Sequence, residues 1–152
     1  MKRFRFPLEK VLELRKYREQ ETEIELGRAI GELTEIENKL KALALERMKA
    51  AKERFSPNNV TIEIQSYDLY IMRLDQTKER LLEEAAKAEL KVEAARAAYL
   101  EASRDRKVFD KLKEKREGEY RKEMFAEETK VLDDISGGVR AREMASGAEK
   151  AY

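Results

Sequence analysis

Residues 64–102 read IQSYDLYIMRLDQTKERLLEEAAKAELKVEAARAAYLEA and carry a sustained heptad pattern. Alternate steps of three and four residues from Ile64 meet an apolar side chain at eleven of twelve positions, and Lys78 is the exception. The apolar positions are Ile64, Tyr67, Ile71, Leu74, Leu81, Ala85, Ala88, Val92, Ala95, Tyr99 and Ala102. A sustained period of 3.5 residues indicates a left-handed coiled-coil seam, the line of side chains along which two helices pack.

An earlier stretch of the chain supplies a partner for this seam. The same stepping from Leu26 passes through Ala29, Leu33, Ile36, Leu40 and Leu43 without meeting a polar residue. Between the two stretches stands Ser56-Pro57-Asn58-Asn59, a strong turn signal, because the residue before a proline is pushed out of the helical region. A short turn makes consecutive helices antiparallel neighbours. The sequence therefore predicts an all-α fold, a long antiparallel two-helix coiled-coil hairpin.

Proline and glycine indicate where the helices begin and end. Pro7 suits the first turn of a helix, and Ser136-Gly137-Gly138 is expected to end the second one. Asn59 or Thr61 is expected to cap the second helix by accepting a backbone N–H. The predicted single coiled-coil domain covers 1–135, with helices over 7–54 and 61–135, a turn over 55–60 and a flexible tail over 136–152.

The predicted helices differ in length, so the second one overhangs the first. With the turn centred near 57, position 7 lies opposite about position 108, and residues 109–135 project beyond it. This overhang carries Phe109, Leu112, Tyr120, Met124, Phe125, Val131, Leu132 and Ile135. A projecting helix with large apolar side chains has nothing of its own to bury them against, so we expect it to bind a partner.

Composition excludes most kinds of chemistry. The 152 residues include 33 Lys or Arg, 32 Asp or Glu and only eight Gly or Pro, too few to turn a β-sandwich or an α/β enzyme. The absence of Cys and His excludes disulfides, thiol nucleophiles and imidazole catalysis, and argues against zinc. A two-helix hairpin has no interior in which to shift a carboxylate pKa, and no GxxxxGK[ST] motif is present. We therefore expect no enzyme activity, no catalytic residue, no metal and no cofactor.

The same numbers bear on location. No apolar run approaches the roughly 20 residues that span a bilayer, and the basic start lacks the apolar centre of a secretory signal. A net charge of +1 does not argue for nucleic-acid binding. The sequence favours a cytosolic protein.

Charge is segregated along the chain although it nearly cancels overall. Residues 1–18 carry a net charge of +5 and residues 104–122 one of +4, and the hairpin places both at its open end. We call these two segments the basic collar. Residues 123–135 carry −4. The collar has three readings, which are a solvated helix face, a docking surface for an acidic protein, and a contact with membrane or nucleic acid.

Three stretches resemble the FliJ family of flagellar type III export proteins. They are FRFPLEKVLELRKYREQETEIELGRAI at 4–30, SYDLYIMRL at 66–74 and RDRKVFDKLKEKREGEYRKEMFAEETKVLDDI at 104–135. The resemblance implies an antiparallel coiled coil similar in shape to the central stalk of rotary ATPases. It implies insertion of the open end into the ring of the export ATPase FliI, promotion of ring assembly and activity, contact with the export gate protein FlhA, and handling of export chaperones. The implied location is cytoplasmic, peripheral to the inner face of the cell membrane at the flagellar base, with no nucleic-acid partner.

The resemblance also implies where the contacts lie. The expected ATPase-ring contacts are Arg104, Arg106, Lys107, Lys111, Lys113, Lys115 and Arg116, with Phe109 and Leu112 as apolar anchors. The expected export-gate contacts are Leu43, Tyr70 and Leu74. The chain departs from some relatives by having Glu46 and Ala50 where they carry aromatic residues.

Other functions fit the same helices. The chain could be the equivalent stalk of a virulence-type secretion system or of a V/A-type ATPase. It could also be a structural coiled coil that associates with itself through the overhang, or a helix that lies on a lipid surface.

Overall fold

The computed structural model describes residues 3–149, and within that range it contains two α-helices and no strand. Helix α1 is Glu9–Arg54 and helix α2 is Thr61–Glu149. The two helices pack against each other, which confirms the predicted all-α helical hairpin.

Asn59 closes the end of α1 instead of capping α2. Its side-chain amide donates hydrogen bonds to the backbone carbonyls of Glu53 and Arg54, the latter at 3.1 Å. These carbonyls belong to the last turn of α1 and have no partner within the helix. Basic side chains in the same turn, Lys52 and Arg54, also suit the negative end of the helix dipole.

Val60, not Asn59 or Thr61, is the N-cap of α2. Its carbonyl accepts the first hydrogen bond of the helix, from the N–H of Ile64 at 3.1 Å. Its own N–H donates to the carboxylate of Glu63 at 3.2 Å, which is the reach-back half of a capping box. The expected caps were wrong because the Asn59 side chain is engaged with α1.

The chain divides into two compact units. The turn unit comprises residues 15–104, and the terminal unit comprises residues 1–14 and 105–152, of which 3–14 and 105–149 are described.

The predicted seam of α2 is the buried face of the turn unit. All eleven apolar positions of the heptad pattern are buried or half-buried, and Lys78 alone is exposed. Leu43, Leu74 and Leu81 form a cluster of buried side chains, with Leu40 packed against it. A 3.5-residue period thus located the packing face correctly, and the lysine within it extends to solvent.

The seam of α1 extends further toward the N-terminus than its apolar residues. Every position from Leu26 to Leu43 in the stepping is buried or half-buried, and one heptad position earlier Thr22 is also buried. The Thr22 hydroxyl donates to the carbonyls of Arg18 and Glu19 at 3.0 and 2.8 Å. A threonine can occupy this position because its own helix satisfies its hydroxyl.

Two ion pairs flank the seam near the turn. Arg47 Nε lies 2.6 Å from Asp75 Oδ1, and Arg54 Nε lies 2.5 Å from Asp68 Oδ1. The pairs are seven residues apart on each helix, as an antiparallel heptad register requires. The hydrogen bond from Arg47 holds the pKa of Asp75 below its ordinary value of 3.8, and the same contact raises the pKa of Arg47.

In the terminal unit an extended N-terminal segment packs on α2. Phe6 is only 7% exposed, and the ring centroids of Phe4 and Tyr120 are 5.5 Å apart. Arg3 and Arg5, which alternate with the two phenylalanines, are exposed, as expected for an extended chain. Leu12, in the first turns of α1, is 1% exposed.

This segment shortens the predicted overhang. Lys113 Nζ lies 2.8 Å from a carboxylate oxygen of Glu9, and the four apolar positions Phe109, Leu112, Tyr120 and Met124 are half-buried. An extended chain advances about 3.3 Å per residue against 1.5 Å for a helix, so a few residues before α1 cover a long piece of α2. Every side chain from Phe125 to Ala148 is exposed. The overhang therefore begins near 125, and the expectation that it begins at 109 is wrong.

Helix α2 does not end at Ser136-Gly137-Gly138. It continues to Glu149, so the predicted end at 135 is wrong, while residues 150–152 of the predicted tail and residues 1 and 2 of the predicted domain lie outside the described residues. Neither glycine has the positive φ of a helix C-cap. Residues 139–148 are mostly Ala, Arg, Glu and Met, which favour helix, and they contain no proline. Mobility of this segment stays a prediction.

Candidate docking surfaces

The functional surfaces of a two-helix hairpin are the outward faces of its helices. Among residues 3–149 there is no group of three or more Asp or Glu side chains placed to hold a metal ion. In the same range neither helix has a stretch apolar and long enough to pass through a bilayer. The predicted contacts are therefore assessed by which side chains are accessible and which are already engaged.

Three of the basic residues expected to contact the ATPase ring are engaged within the terminal unit. Lys113 donates a hydrogen bond to Glu9 at 2.9 Å, and this bond raises the pKa of Lys113. Arg106 is half-buried and pairs with Asp110 one turn later. Arg116 is exposed and lies 3.5 Å from Glu119. These side chains contribute to the fold of the unit, and a partner would have to compete for them.

Three other lysines of the set are exposed and form a row. Lys107, Lys111 and Lys115 recur every four residues, so at 3.6 residues per turn they fall within about 80° of the helix circumference. Lys122 lies on the same face two turns further on. We call these four side chains the lysine face. Val108, which is 63% exposed, adds an apolar group at its edge.

Arg104 is the remaining basic residue of the expected set. It is the last residue of the turn unit and its side chain is exposed.

The two expected apolar anchors are less accessible than a docking contact requires. Phe109 and Leu112 are both half-buried. Continuing the heptad stepping beyond Ala102 reaches 106, 109 and 113, the positions of three half-buried side chains. The partial burial of Phe109 could thus have been predicted from the sequence, because the heptad pattern continues beyond Ala102.

The three expected gate contacts differ sharply in exposure. Leu43 and Leu74 belong to the buried cluster of the turn unit, whereas Tyr70 is 43% exposed. The Tyr70 hydroxyl donates to the carboxylate of Glu46 at 3.3 Å, and the negative charge of Glu46 raises the pKa of Tyr70. Burial of the two leucines leaves Tyr70 as the accessible member of the set.

Large apolar side chains near the turn were missed by the sequence reasoning. Phe55, Val60, Ile62 and Leu69 are all more than half exposed. Their positions fall outside the heptad stepping, which is the signal that could have identified them as surface residues. Together with Tyr70 they give the turn unit an apolar end.

Comparison with protein families found a match. The family model described as flagellar FliJ protein matches residues 4–144. Comparison with curated proteins found no match, and neither did comparison with solved structures.

Proposed function

This chain belongs to the FliJ family and is thus a component of flagellar type III export, and from that premise we propose that it acts as a central stalk in the ring of the export ATPase FliI. In this proposal the terminal unit enters the ring, promotes its assembly and raises its rate of hydrolysis. The protein then lies at the cytoplasmic face of the flagellar base, held there by the apparatus.

The observation that carries the proposal is the lysine face. Lys107, Lys111 and Lys115 are exposed and have no ion-pair partner within residues 3–149, although acidic residues are plentiful in the same helix. Like charges four residues apart destabilise an isolated helix by about 0.2–0.5 kcal/mol per pair. A row of such pairs is explained by an acidic surface outside the unit, such as the inner wall of a ring.

A link to the export gate protein FlhA is proposed for the other end. The support is the apolar group of Phe55, Ile62, Leu69 and Tyr70 near the turn, since exposed apolar patches commonly bind protein partners. Leu43 and Leu74 would act there by holding the turn unit together. Handling of export chaperones is proposed from family membership alone.

The test is the ATPase's rate of hydrolysis titrated with the full chain. We expect a saturable rise that is complete well below one chain per ATPase subunit. The triple variant K107E/K111E/K115E should shift the titration to higher concentration by tenfold or more at low salt, and moderate salt should weaken the wild-type effect because the contact is electrostatic.

A matched control separates position from charge. Lys39 is paired with Glu35, but Lys41, Lys49 and Lys87 are exposed and unpaired within the described residues, and they lie in the turn unit outside the basic collar. The variant K41E/K49E/K87E changes the net charge equally and should titrate like the wild type. Equal weakening by both triple variants would reject the lysine face as the contact, and no rise with the wild type would reject the stalk.

The stalk of a virulence-type secretion system or of a V/A-type ATPase is not favoured, because the family match is to a flagellar protein.

A further inference from the structure

The outward face of α2 within the turn unit is acidic and apolar. Glu79, Glu83, Glu89, Glu93 and Glu101 fall within about 120° of the helix circumference, on the side away from the seam. Three exposed leucines, Leu82, Leu90 and Leu100, lie on the same face. We call these residues the acidic face, and the nearest basic residues between positions 79 and 101 are Arg96 and Lys87, about 20° and 40° outside its two edges.

The carboxylates of this face have no ion-pair partner among residues 3–149, whereas Glu32, Asp68 and Asp75 of the same unit each pair with a basic side chain. Glu79 and Glu83 are four residues apart, and so are Glu89 and Glu93. Each such pair repels along the helix, the reverse of the Glu35–Lys39 arrangement elsewhere in the unit.

Two lysines of the lysine face match two glutamates of the acidic face in both charge and spacing. Lys111 and Lys115 are four residues apart, as Glu89 and Glu93 are. If a helix segment carrying Glu89 and Glu93 packs antiparallel to one carrying Lys111 and Lys115, Glu93 lies opposite Lys111 and Glu89 lies opposite Lys115. Three leucines and the long lysine stems supply apolar area between the charges.

We infer that the acidic face of one copy of this chain binds the lysine face of a second copy. Each chain carries both faces, so every copy can bind one neighbour through its acidic face and another through its lysine face. An anionic membrane is the less favoured occupant of the lysine face, because Val108 is the only exposed large apolar side chain between Lys107 and Lys115 and the chain itself carries the matching acids.

This self-association does not depend on the proposed role in the ATPase ring. If both hold, the two contacts use the same lysines and exclude each other, so a self-associated chain would be an inactive reserve. The acidic face belongs only to self-association, which keeps the two proposals separable.

The experiment is sedimentation velocity of the full chain over a hundredfold range of concentration at low salt. We expect a concentration-dependent increase in mean mass that salt reverses. The variants K111E/K115E and E89K/E93K should each weaken association by about tenfold or more, because each sets like charges face to face. Circular dichroism checks that both variants keep the helix content of the wild type.

Mixing the two variants provides the decisive measurement. One variant carries acids on both faces and the other carries bases on both, so the mixture should associate at least as well as the wild type. The control K41E/K49E changes charge off both faces and should associate like the wild type. A wild-type chain that stays monomeric throughout, or a mixture no better than its components, would overturn the inference. The variant E89K/E93K should still stimulate the ATPase, because its substitutions lie outside the lysine face. A loss of self-association in this variant is therefore distinguishable from a failure of the proposed stalk function.

Discussion

Replacing Phe6 by alanine should release the N-terminal segment from α2 without melting the hairpin. Phe6 is 7% exposed, and removal of a buried phenylalanine typically costs about 3–5 kcal/mol. The site lies at the end of the packed region, where the chain can relax, so we expect the lower end, about 3 kcal/mol. Because every 1.4 kcal/mol is a factor of ten, local opening should become roughly a hundredfold more frequent.

Hydrogen exchange measures this opening directly. The N–H of Glu9 donates to the Phe6 carbonyl at 3.2 Å and that of Leu12 to the Leu8 carbonyl at 3.0 Å, so their exchange reports attachment of the segment. In F6A both amides should exchange about a hundredfold faster, while amides around Leu74 keep their protection. The control L14A removes an exposed leucine of the same unit and should change exchange little. Equal effects of F6A and L14A would refute the packing argument.

Two further predictions concern the turn unit and the end of α2. The pKa of Asp75 is lowered by the hydrogen bond from Arg47, so the folded state gains stability above the ordinary pKa of 3.8 and loses it as the pH falls through the lower folded value. The thermal midpoint of D75N should therefore fall less between pH 5 and pH 2 than that of the wild type, and identical slopes would contradict the assignment. Beyond the adjacent residues and the backbone of the helix itself, no atom lies within 4 Å of a Cβ built on Gly137 or Gly138, so G137A/G138A should stabilise that part of α2 by about 1 kcal/mol per site and slow its hydrogen exchange. The opposite change A141G should speed hydrogen exchange. If the amides of this segment showed no protection from exchange in the wild type, in G137A/G138A or in A141G, the segment would not be helical in solution.

The packing faces were predictable because their signal repeats many times. Twelve positions at a constant 3.5-residue period define one face of α2, and a single exception such as Lys78 does not change its direction. The register was harder to predict, because it depends on how many residues the turn uses. The ion pairs Arg47–Asp75 and Arg54–Asp68 place the centre of the hairpin at residue 61, four residues beyond Pro57.

The candidate site was predictable only in part. Lys107, Lys111 and Lys115 are exposed as expected, but Arg106, Phe109 and Lys113 continue the seam and lie partly inside. The N-terminal segment left a short signal, the alternation Arg3-Phe4-Arg5-Phe6, which is too brief to stand out from a helical sequence. Continuation of α2 through Gly137-Gly138 was missed because glycine weakens a helix without forbidding it.

The heptad spacing of the two ion pairs limits how α1 and α2 can shear past each other in the turn unit. The two arginines, Arg47 and Arg54, are one heptad apart on α1, and their partners Asp75 and Asp68 are one heptad apart on α2. A slip of seven residues, about 10 Å of travel, would therefore bring Arg47 to Asp68 and keep one of the two ion pairs. A slip of one to six residues would break both pairs and also set leucines of the seam against unmatched positions. Sliding is therefore quantised, with a neighbouring register one heptad away that is poorer by a single ion pair and by whatever strain the shortened turn imposes.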